Sequence, residues 1–164
     1  MIYMEQFSFP FQHTTGNQLP AHIQQLIAEA TKATKFAYAP YSQFRVGAAA
    51  LLADGSIKTG SNHENASYPA GICAERGLLS GINPLDKQQQ ILAMAVCYTS
   101  NTDNNTPLSP CGICRQTILE MQLAQDAPIA MYMCSPDGQI ITVDDAAHLL
   151  PFYFSSKNLK NKGQ

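Results

Sequence analysis

The sequence predicts an α/β fold in which one sheet lies between two layers of helices. Segments with the periodicity of helices alternate along the chain with short apolar segments typical of strands, in the order α, β, β, α, β, α, β, β, α. A helix that connects two neighbouring strands of one sheet implies a parallel crossover, so at least one strand pair is expected to be parallel. The chain of 164 residues is long enough for one domain with a sizeable core. We therefore expect a single three-layer α/β/α domain over residues 21–156.

The first helix and the hairpin after it are indicated by residue spacing and by turn residues. Apolar side chains recur at intervals of three and four over residues 22–38, which predicts a helix that Pro40 ends. Asp54 and Gly55 then form a turn between predicted strands at 45–53 and 57–61. The first of these strands is almost entirely apolar or small, so we expect both of its faces to be buried.

The remaining elements are apolar segments separated by loop residues. In chain order they are a helix over 73–80, a strand over 91–98, a helix that starts after Pro110 and ends before Pro128, strands over 129–134 and 139–143, and a short helix that ends at 150. Asp144 or Asp145 is expected to cap the last helix. The inner surface of the helix before 128 is expected to carry four apolar residues: Ile113, Ile118, Leu119 and Leu123.

Both ends of the chain and one connection lie outside these elements. Phe7, Phe9 and Phe11 alternate within residues 1–20, which are expected to form an N-terminal arm or an added strand. The polar segment 99–109 is expected to be a connection in solvent, and residues 157–164 a solvated tail.

Charge and hydropathy argue against two classes of partner. Lysine and arginine number 10 against 12 aspartates and glutamates, a net charge of -2, so the chain lacks the basic surface that binds nucleic acid. Its apolar stretches are too short to span a membrane and its start lacks the pattern of an export signal, so we expect a soluble, cytoplasmic protein. Charged residues make up 13% of the chain, about half the usual fraction, which favours association of several subunits.

Three of the five cysteines are placed for metal binding. Cys73, Cys111 and Cys114 stand at the starts of two predicted helices, where free backbone N–H groups stabilise thiolates. Three thiolates leave one position of a tetrahedral zinc ion for water, as in catalytic sites. Cys97 and Cys134 lie within predicted strands and are expected to be buried. Taken alone, a CxxC pair is also consistent with core packing or redox chemistry.

Glu75 completes a pattern that is typical of zinc deaminases. In their signature a Glu follows a His or Cys ligand by two residues, and a Pro-Cys-x-x-Cys segment comes later in the chain. Here Cys73 and Glu75 match the first part, and residues 110–114 match the second. The Glu of this signature is a general acid and base and not a ligand, so Glu75 is the expected catalytic residue. The alternative is an ordinary first-turn Glu that interacts with the helix dipole.

At this point the chain resembles the cytidine deaminase family, in its small three-cysteine branch. Five segments carry the resemblance and are spread in the same order over roughly residues 25–155: they lie at 38–49, 62–68, 73–76, 110–116 and 149–154. The resemblance implies a mixed five-stranded sheet between helices, one zinc ion per subunit, and a homotetramer with shared active sites. It also implies hydrolytic deamination of cytidine and deoxycytidine to uridine and deoxyuridine with release of ammonia, as in pyrimidine salvage.

The resemblance also implies roles for individual residues. Cys73, Cys111 and Cys114 would bind zinc, while Glu75 would move protons between water, the ring N3 and the leaving amine. Substrate contacts are implied for six residues: Phe44 on the pyrimidine face, Asn62 and Glu64 at the ribose 3′-hydroxyl, the Ala74 backbone at the pyrimidine edge, and Tyr68 and Phe154 where the pocket closes across a subunit boundary. Arg76, with Arg115 and Gln116 close to the same ligands, would withdraw negative charge from the sulfur atoms.

Other functions remain open from the sequence. The substrate could be deoxycytidylate, free cytosine, guanine or an aminated antibiotic nucleoside, although an anionic Glu64 beside the sugar would oppose a phosphate and so favours a nucleoside. The chain could also be a zinc-stabilised binding module with an inactive site, or a relative that edits RNA or DNA. A structural zinc would require a fourth protein ligand, and editing would favour a basic or aromatic-rich path for a strand; the sequence shows neither. The expected partners are therefore a small nucleoside and further copies of this chain, with no nucleic acid and no membrane.

Overall fold

The computed structural model describes residues 2–101 and 105–159, which form a six-stranded sheet with helices on both faces. The strands are β1 (Gln12–Thr15), β2 (Arg45–Leu52), β3 (Ile57–Ser61), β4 (Ile91–Thr99), β5 (Ala130–Cys134) and β6 (Gln139–Val143). The α-helices are α1 (Ala21–Ala33), α2 (Ala74–Leu79) and α3 (Gly112–Gln125), and the shorter 3₁₀ helices include Thr34–Phe36 and Ala146–Leu149. The strand order in the sheet is β1-β6-β5-β4-β2-β3.

The predicted three-layer architecture with a mixed sheet is confirmed. β4 and β5 are parallel, since α3 lies between them in the chain as a crossover, and the other neighbouring strands are antiparallel. Apolar residues of α1 pack on one face of the sheet, and those of α2 and α3 pack on the other.

The expected number of five strands is wrong, because the sheet has a sixth strand at one edge. β1 comes from the N-terminal segment and pairs antiparallel with β6, with Gln12 opposite Thr142 and Thr15 opposite Gln139. Without β1, the outer N–H and C=O groups of β6 would form an open edge of the sheet. The backbone of the N-terminal segment satisfies them.

α1 is shorter than the helix that the sequence predicts over 22–38. It ends at Ala33, a 3₁₀ turn follows, and the chain is extended at Ala37. The cause is backbone pairing further along: the N–H of Tyr38 donates to the carbonyl of Asn62 at 2.9 Å, and the carbonyl of Tyr38 accepts from the N–H of Glu64 at 2.8 Å. These hydrogen bonds replace the last predicted helical turn and join the end of α1 to the segment after β3.

α3 follows its prediction except at its start. Ile118 and Leu119 are buried as expected, but Ile113 is 63% exposed, so its assignment to the inner surface is wrong. Ile113 is the second residue of α3 and lies on the solvent side of the first turn, whereas the next residue, Cys114, is buried.

Small residues on β2 and β3 let the helices approach the sheet closely. Ala48 and Ala50 pack in the core cluster that contains α2 and α3, while Ala49 packs in the cluster that contains α1, so both faces of β2 are buried as predicted. On β3, a Cβ atom at Gly60 would lie 2.7 Å from the carbonyl oxygen of Ala74. The first turn of α2 therefore sits directly on β3.

The C-terminal part of the fold is capped as predicted. The carboxylate of Asp145 accepts a hydrogen bond from the N–H of Ala147 at 2.8 Å and begins the last short helix. Residues 102–104 of the predicted connection and 160–164 of the predicted tail lie outside the described residues. Across the part of the chain that the structure describes, the helices are too short or too polar to cross a bilayer.

Candidate active site and metal centre

Two helix starts bring three thiols together on one side of the sheet. Cys73 is the N-cap residue of α2 and Cys111 is the N-cap residue of α3, with Cys114 in the first turn of α3. The Sγ atoms of Cys73 and Cys111 are 3.9 Å apart, those of Cys111 and Cys114 are 3.6 Å apart, and all three lie within 4.8 Å of one another. Cys97 and Cys134 are buried in the sheet, as predicted, and are not part of this group.

The spacing of the three sulfur atoms fits a zinc ion. A tetrahedral ion with Zn–S distances of about 2.3 Å holds its sulfur ligands about 3.8 Å apart, which lies between the two measured distances. Among residues 2–101 and 105–159, no other His, Cys, Asp or Glu joins the group. Cys114 is buried whereas Cys111 is exposed, so the group is closed on its core side and accessible from the other. The donor set is therefore that of a three-thiolate zinc centre with a fourth position free.

Hydrogen bonds between the thiols favour ionisation of one of them. The pKa of Cys73 is lowered to about 6, chiefly because the Cys114 thiol hydrogen-bonds to its sulfur, and burial opposes this shift. The pKa of Cys114 is raised, because it holds the shared proton and because burial disfavours a thiolate. Arg76 makes a smaller contribution to the lowered pKa of Cys73 through its positive charge. A divalent cation that binds here must displace the remaining thiol protons.

Glu75 lies beside the thiols at the start of α2 and is 4% exposed. Burial raises the pKa of its carboxyl group above the usual range, while hydrogen bonds from its own backbone N–H and from Cys114 act in the opposite direction. A shift in this direction brings the pKa of the carboxyl group closer to the pH at which a general acid and base works.

A cavity of about 770 Å³ opens above Glu75 and two of the thiols. Its wall includes eight of the residues that the sequence singles out: Phe44, Asn62, Glu64, Tyr68, Cys73, Ala74, Glu75 and Cys111. Cys114, Arg76, Arg115, Gln116 and Phe154 do not line it. The wall of the cavity also includes residues for which the sequence predicts no role, among them Tyr41, Ser42, Leu108 and Ser109. Its size suits a small organic ligand, within the usual range for such sites.

Backbone hydrogen bonds tie the two halves of this cavity together. His63 and Ile72 exchange N–H to carbonyl bonds in both directions at 3.0 Å. His63 lies between Asn62 and Glu64, and Ile72 directly precedes Cys73. The segment expected to contact a sugar is thus bonded to the segment that carries the first cysteine of the thiol group.

Asn62 uses its side chain to hold the backbone around Phe44. Its Oδ1 accepts from the N–H of Val46 at 2.7 Å, and its Nδ2 donates to the carbonyl of Phe44 at 3.0 Å. The ring of Phe44 stacks on that of Tyr98, with centroids 4.9 Å apart and an angle of 19° between the planes. Among the described residues its Nδ2 makes this one hydrogen bond, and because an amide nitrogen carries two donors, the second N–H can serve a ligand.

Glu64 is held by the turn that precedes Phe44. One carboxylate oxygen accepts from the N–H of Tyr41 at 2.8 Å and from the N–H of Ser42 at 3.3 Å, and the other accepts from the hydroxyl of Ser42. The hydrogen bond from the Ser42 side chain, followed by those from the two backbone N–H groups, lowers the pKa of Glu64. An anionic acceptor therefore faces the cavity.

Arg115 and Gln116 bind the C-terminal segment. In the described part of the chain, the guanidinium of Arg115 donates to the carbonyl of Pro110 at 2.8 Å, the carbonyl of Leu149 at 2.9 Å and the hydroxyl of Ser109 at 2.8 Å. The Nε2 of Gln116 donates to the carbonyl of Phe154 at 3.0 Å. These contacts fix the loop before Cys111 and hold the last aromatic residues near α3; they go to oxygen atoms rather than to sulfur.

Comparison with known proteins places this site in a family. A family model described as the cytidine and deoxycytidylate deaminase zinc-binding region matches residues 20–130. Cytidine deaminase of Halalkalibacterium halodurans is 40% identical over 138 residues, which cover 84% of this chain and 98% of the relative. Cytidine deaminase of Sporosarcina psychrophila is 39% identical over 138 residues, which cover 84% of this chain and 94% of the relative. The crystal structure of cytidine deaminase from Burkholderia pseudomallei superposes with a TM-score of 0.68 at 35% identity and covers 83% of this chain and 100% of that one. The chain belongs to the family of zinc-binding cytidine and deoxycytidylate deaminases.

Proposed function

We propose that this chain is a zinc-dependent hydrolase that converts cytidine and deoxycytidine to uridine and deoxyuridine with release of ammonia, a reaction of pyrimidine salvage. The observation that carries the proposal is the meeting of three thiols and a buried carboxyl group beside a cavity of about 770 Å³. Membership of the deaminase family supports the same reaction.

The metal and Glu75 divide the chemistry. Cys73, Cys111 and Cys114 would hold the zinc ion, which would supply a nucleophile near neutral pH by lowering the pKa of water. Glu75 accepts the proton of that water and delivers it to N3 of the pyrimidine while a bond forms between oxygen and C4. Glu75 then moves a second proton from the oxygen at C4 to the exocyclic nitrogen. The bond between C4 and this nitrogen breaks, and ammonia leaves.

The wall of the cavity supplies contacts to the base. Phe44, held in place by Asn62 and by its stack on Tyr98, offers an aromatic face against which a pyrimidine ring can pack. The backbone of Ala74, which lines the cavity beside Glu75, is the proposed partner of the pyrimidine edge. These contacts would place C4 of the pyrimidine over the thiols of Cys73, Cys111 and Cys114.

The sugar contacts favour a nucleoside over a nucleotide. Glu64 is anionic and lines the cavity, so it can accept a hydrogen bond from a ribose hydroxyl, and Asn62 can donate its free N–H to the same group. The charge of Glu64 would repel the phosphate of deoxycytidylate. Because both nucleosides carry the 3′-hydroxyl, the site should accept cytidine and deoxycytidine.

The assembly is proposed to be a homotetramer in which neighbouring subunits complete each site. Tyr68 lines the cavity yet is 78% exposed, and Phe154 is 57% exposed at the end of the segment that Gln116 holds. Aromatic rings that remain exposed beside a ligand cavity are typical of an interface. Arg76 is the proposed charge partner of the sulfur ligands. The five free thiols support a reducing compartment, for which we propose the cytoplasm.

The test is a substrate panel with purified protein. Cytidine, deoxycytidine, cytosine and deoxycytidylate are each incubated with the protein while ultraviolet absorbance and ammonia are followed, with and without a chelator. We expect turnover of the two nucleosides that the chelator abolishes and that added zinc restores. Preferred turnover of deoxycytidylate or of free cytosine would overturn the proposal.

A further inference from the structure

Ser42 lies in the turn between α1 and β2, and its hydroxyl contacts both sides of the candidate substrate site. The hydroxyl donates a hydrogen bond to one carboxylate oxygen of Glu64. The Oγ atom of Ser42 also accepts a hydrogen bond from the N–H of Phe44 at 3.0 Å. A serine hydroxyl has one donor and two acceptor positions, so a single group joins the proposed sugar contact to the proposed base contact.

The turn holds Ser42 in one orientation. The N–H of Gln43 donates to the carbonyl of Ala39 at 3.1 Å, and the Gln43 side chain donates to the carbonyl of Pro40 at 3.0 Å. Gln43 has a φ of 56°, the left-handed conformation that residues other than glycine rarely adopt. A turn that keeps such a residue in this conformation must be held by its surroundings, and the bonds to Glu64 are part of them.

Removal of the Ser42 hydroxyl would act on the two contacts differently. One oxygen of Glu64 would still accept from two backbone N–H groups, so the side chain would stay in the cavity. Its other oxygen would lose the donor that fixes its direction, and the N–H of Phe44 would lose its acceptor. The carboxylate would then take up more orientations, and fewer of them would suit a ligand hydroxyl.

We propose that Ser42 is a positioning residue that orients Glu64 toward the sugar and secures Phe44 against the base, and so sets the preference for substrates that carry a 3′-hydroxyl. This inference rests on the proposed function, because it takes Glu64 as the acceptor for that hydroxyl. Ser42 itself takes no part in proton transfer. Its removal should therefore raise KM and leave kcat nearly unchanged.

The test compares two substrates in two enzymes. Cytidine carries the 3′-hydroxyl and 3′-deoxycytidine lacks it, and kcat and KM are measured for both with wild type and Ser42→Ala. Loss of a hydrogen bond to a charged group weakens binding by about 10-fold. We expect the ratio of kcat/KM for cytidine to that for 3′-deoxycytidine to fall about 10-fold in Ser42→Ala, through KM. A merely structural effect would lower both values equally and leave the ratio unchanged.

Two further variants and a control sharpen the result. Ser42→Thr keeps the hydroxyl and should restore the ratio, whereas Ser42→Cys has nearly the size of serine but a weak donor and should behave like Ser42→Ala. Ser56→Ala is the matched control, because the Ser56 hydroxyl also donates to a carboxylate, that of Asp54 at 2.6 Å, but lies outside the cavity. This variant should leave the ratio of kcat/KM values unchanged. An unchanged ratio in both Ser42→Ala and Ser42→Cys overturns the positioning role. A wild-type protein without activity on cytidine overturns the proposed function instead.

Discussion

Gly60 on β3 provides a direct test of how closely α2 must approach the sheet. A Cβ atom at this position would lie 2.7 Å from the carbonyl oxygen of Ala74 and 2.8 Å from the Cβ of Leu78. Since ordinary contact begins at 3.4 Å, α2 would have to withdraw by about 0.7 Å. Glu75 follows Ala74 directly and would move with it. A misplacement of about 1 Å at a catalytic group can cost about 100-fold in rate.

For Gly60→Ala we therefore expect kcat to fall by about 10-fold or more, with a loss of about 1–3 kcal/mol in the free energy of unfolding. The assay is steady-state deamination of cytidine together with zinc content and urea unfolding. Gly77→Ala is the matched control, because Gly77 lies in α2, the helix that Gly60 faces, and a Cβ atom at Gly77 would lie 3.8 Å from the carbonyl oxygen of Ser61, an ordinary contact. This control should keep its activity and equal or exceed the wild type in stability. Equal kcat and zinc content in Gly60→Ala and Gly77→Ala would refute the reasoning.

Three other changes test separate parts of the molecule. Glu75→Gln should keep its zinc but lose about 10²–10⁴-fold in kcat, since it removes the proton carrier and leaves the thiols intact; activity near that of the wild type would contradict this role. The hydrogen bond from Ser42 lowers the pKa of Glu64. The ionised carboxylate therefore stabilises the folded state at pH values above the ordinary pKa of a carboxyl group, and this stabilisation is lost as the pH falls through the lowered pKa. The stability difference between wild type and Glu64→Gln in urea should accordingly narrow as the pH is lowered from about 7 toward 3, and a difference independent of pH would contradict the assignment. Phe9 is partly buried, packs against the core and stacks on His148 with ring centroids 5.3 Å apart. Phe9→Ala should therefore lower the free energy of unfolding by about 1–2 kcal/mol, and Phe11→Ala should lower it less because Phe11 is exposed. Equal losses in the two variants would show that Phe9 does not anchor the N-terminal segment.

The grouping of three cysteines that could bind zinc was accessible to sequence reasoning because its signal is local. Cys73, Cys111 and Cys114 stand at helix starts, and a helix start fixes the direction of the first side chains within one turn. The layers of the fold were accessible for a similar reason, since apolar periodicity decides which face of each element is buried.

The contacts that organise the substrate side depend on residues far apart in the chain. Ser42 and Glu64 are 22 residues apart, and no spacing rule links a turn to a carboxylate at that distance. Asn62 shows the same limit, because its side chain holds the backbone of Phe44 and Val46. The strand β1 also escaped a firm prediction: four polar residues carry no apolar alternation, and their pairing is decided by the open edge of β6.

The central claim is that three thiols hold one zinc ion with a position left for water, beside Glu75. Elemental analysis of catalytically active wild type and of Cys111→Ser, with ammonia release from cytidine measured on the same samples, tests it most directly. We expect about one zinc ion per wild-type chain, and a parallel loss of zinc and of ammonia release in Cys111→Ser. Active wild type that contains no stoichiometric zinc, or a Cys111→Ser variant that retains both zinc and activity, would contradict the claim.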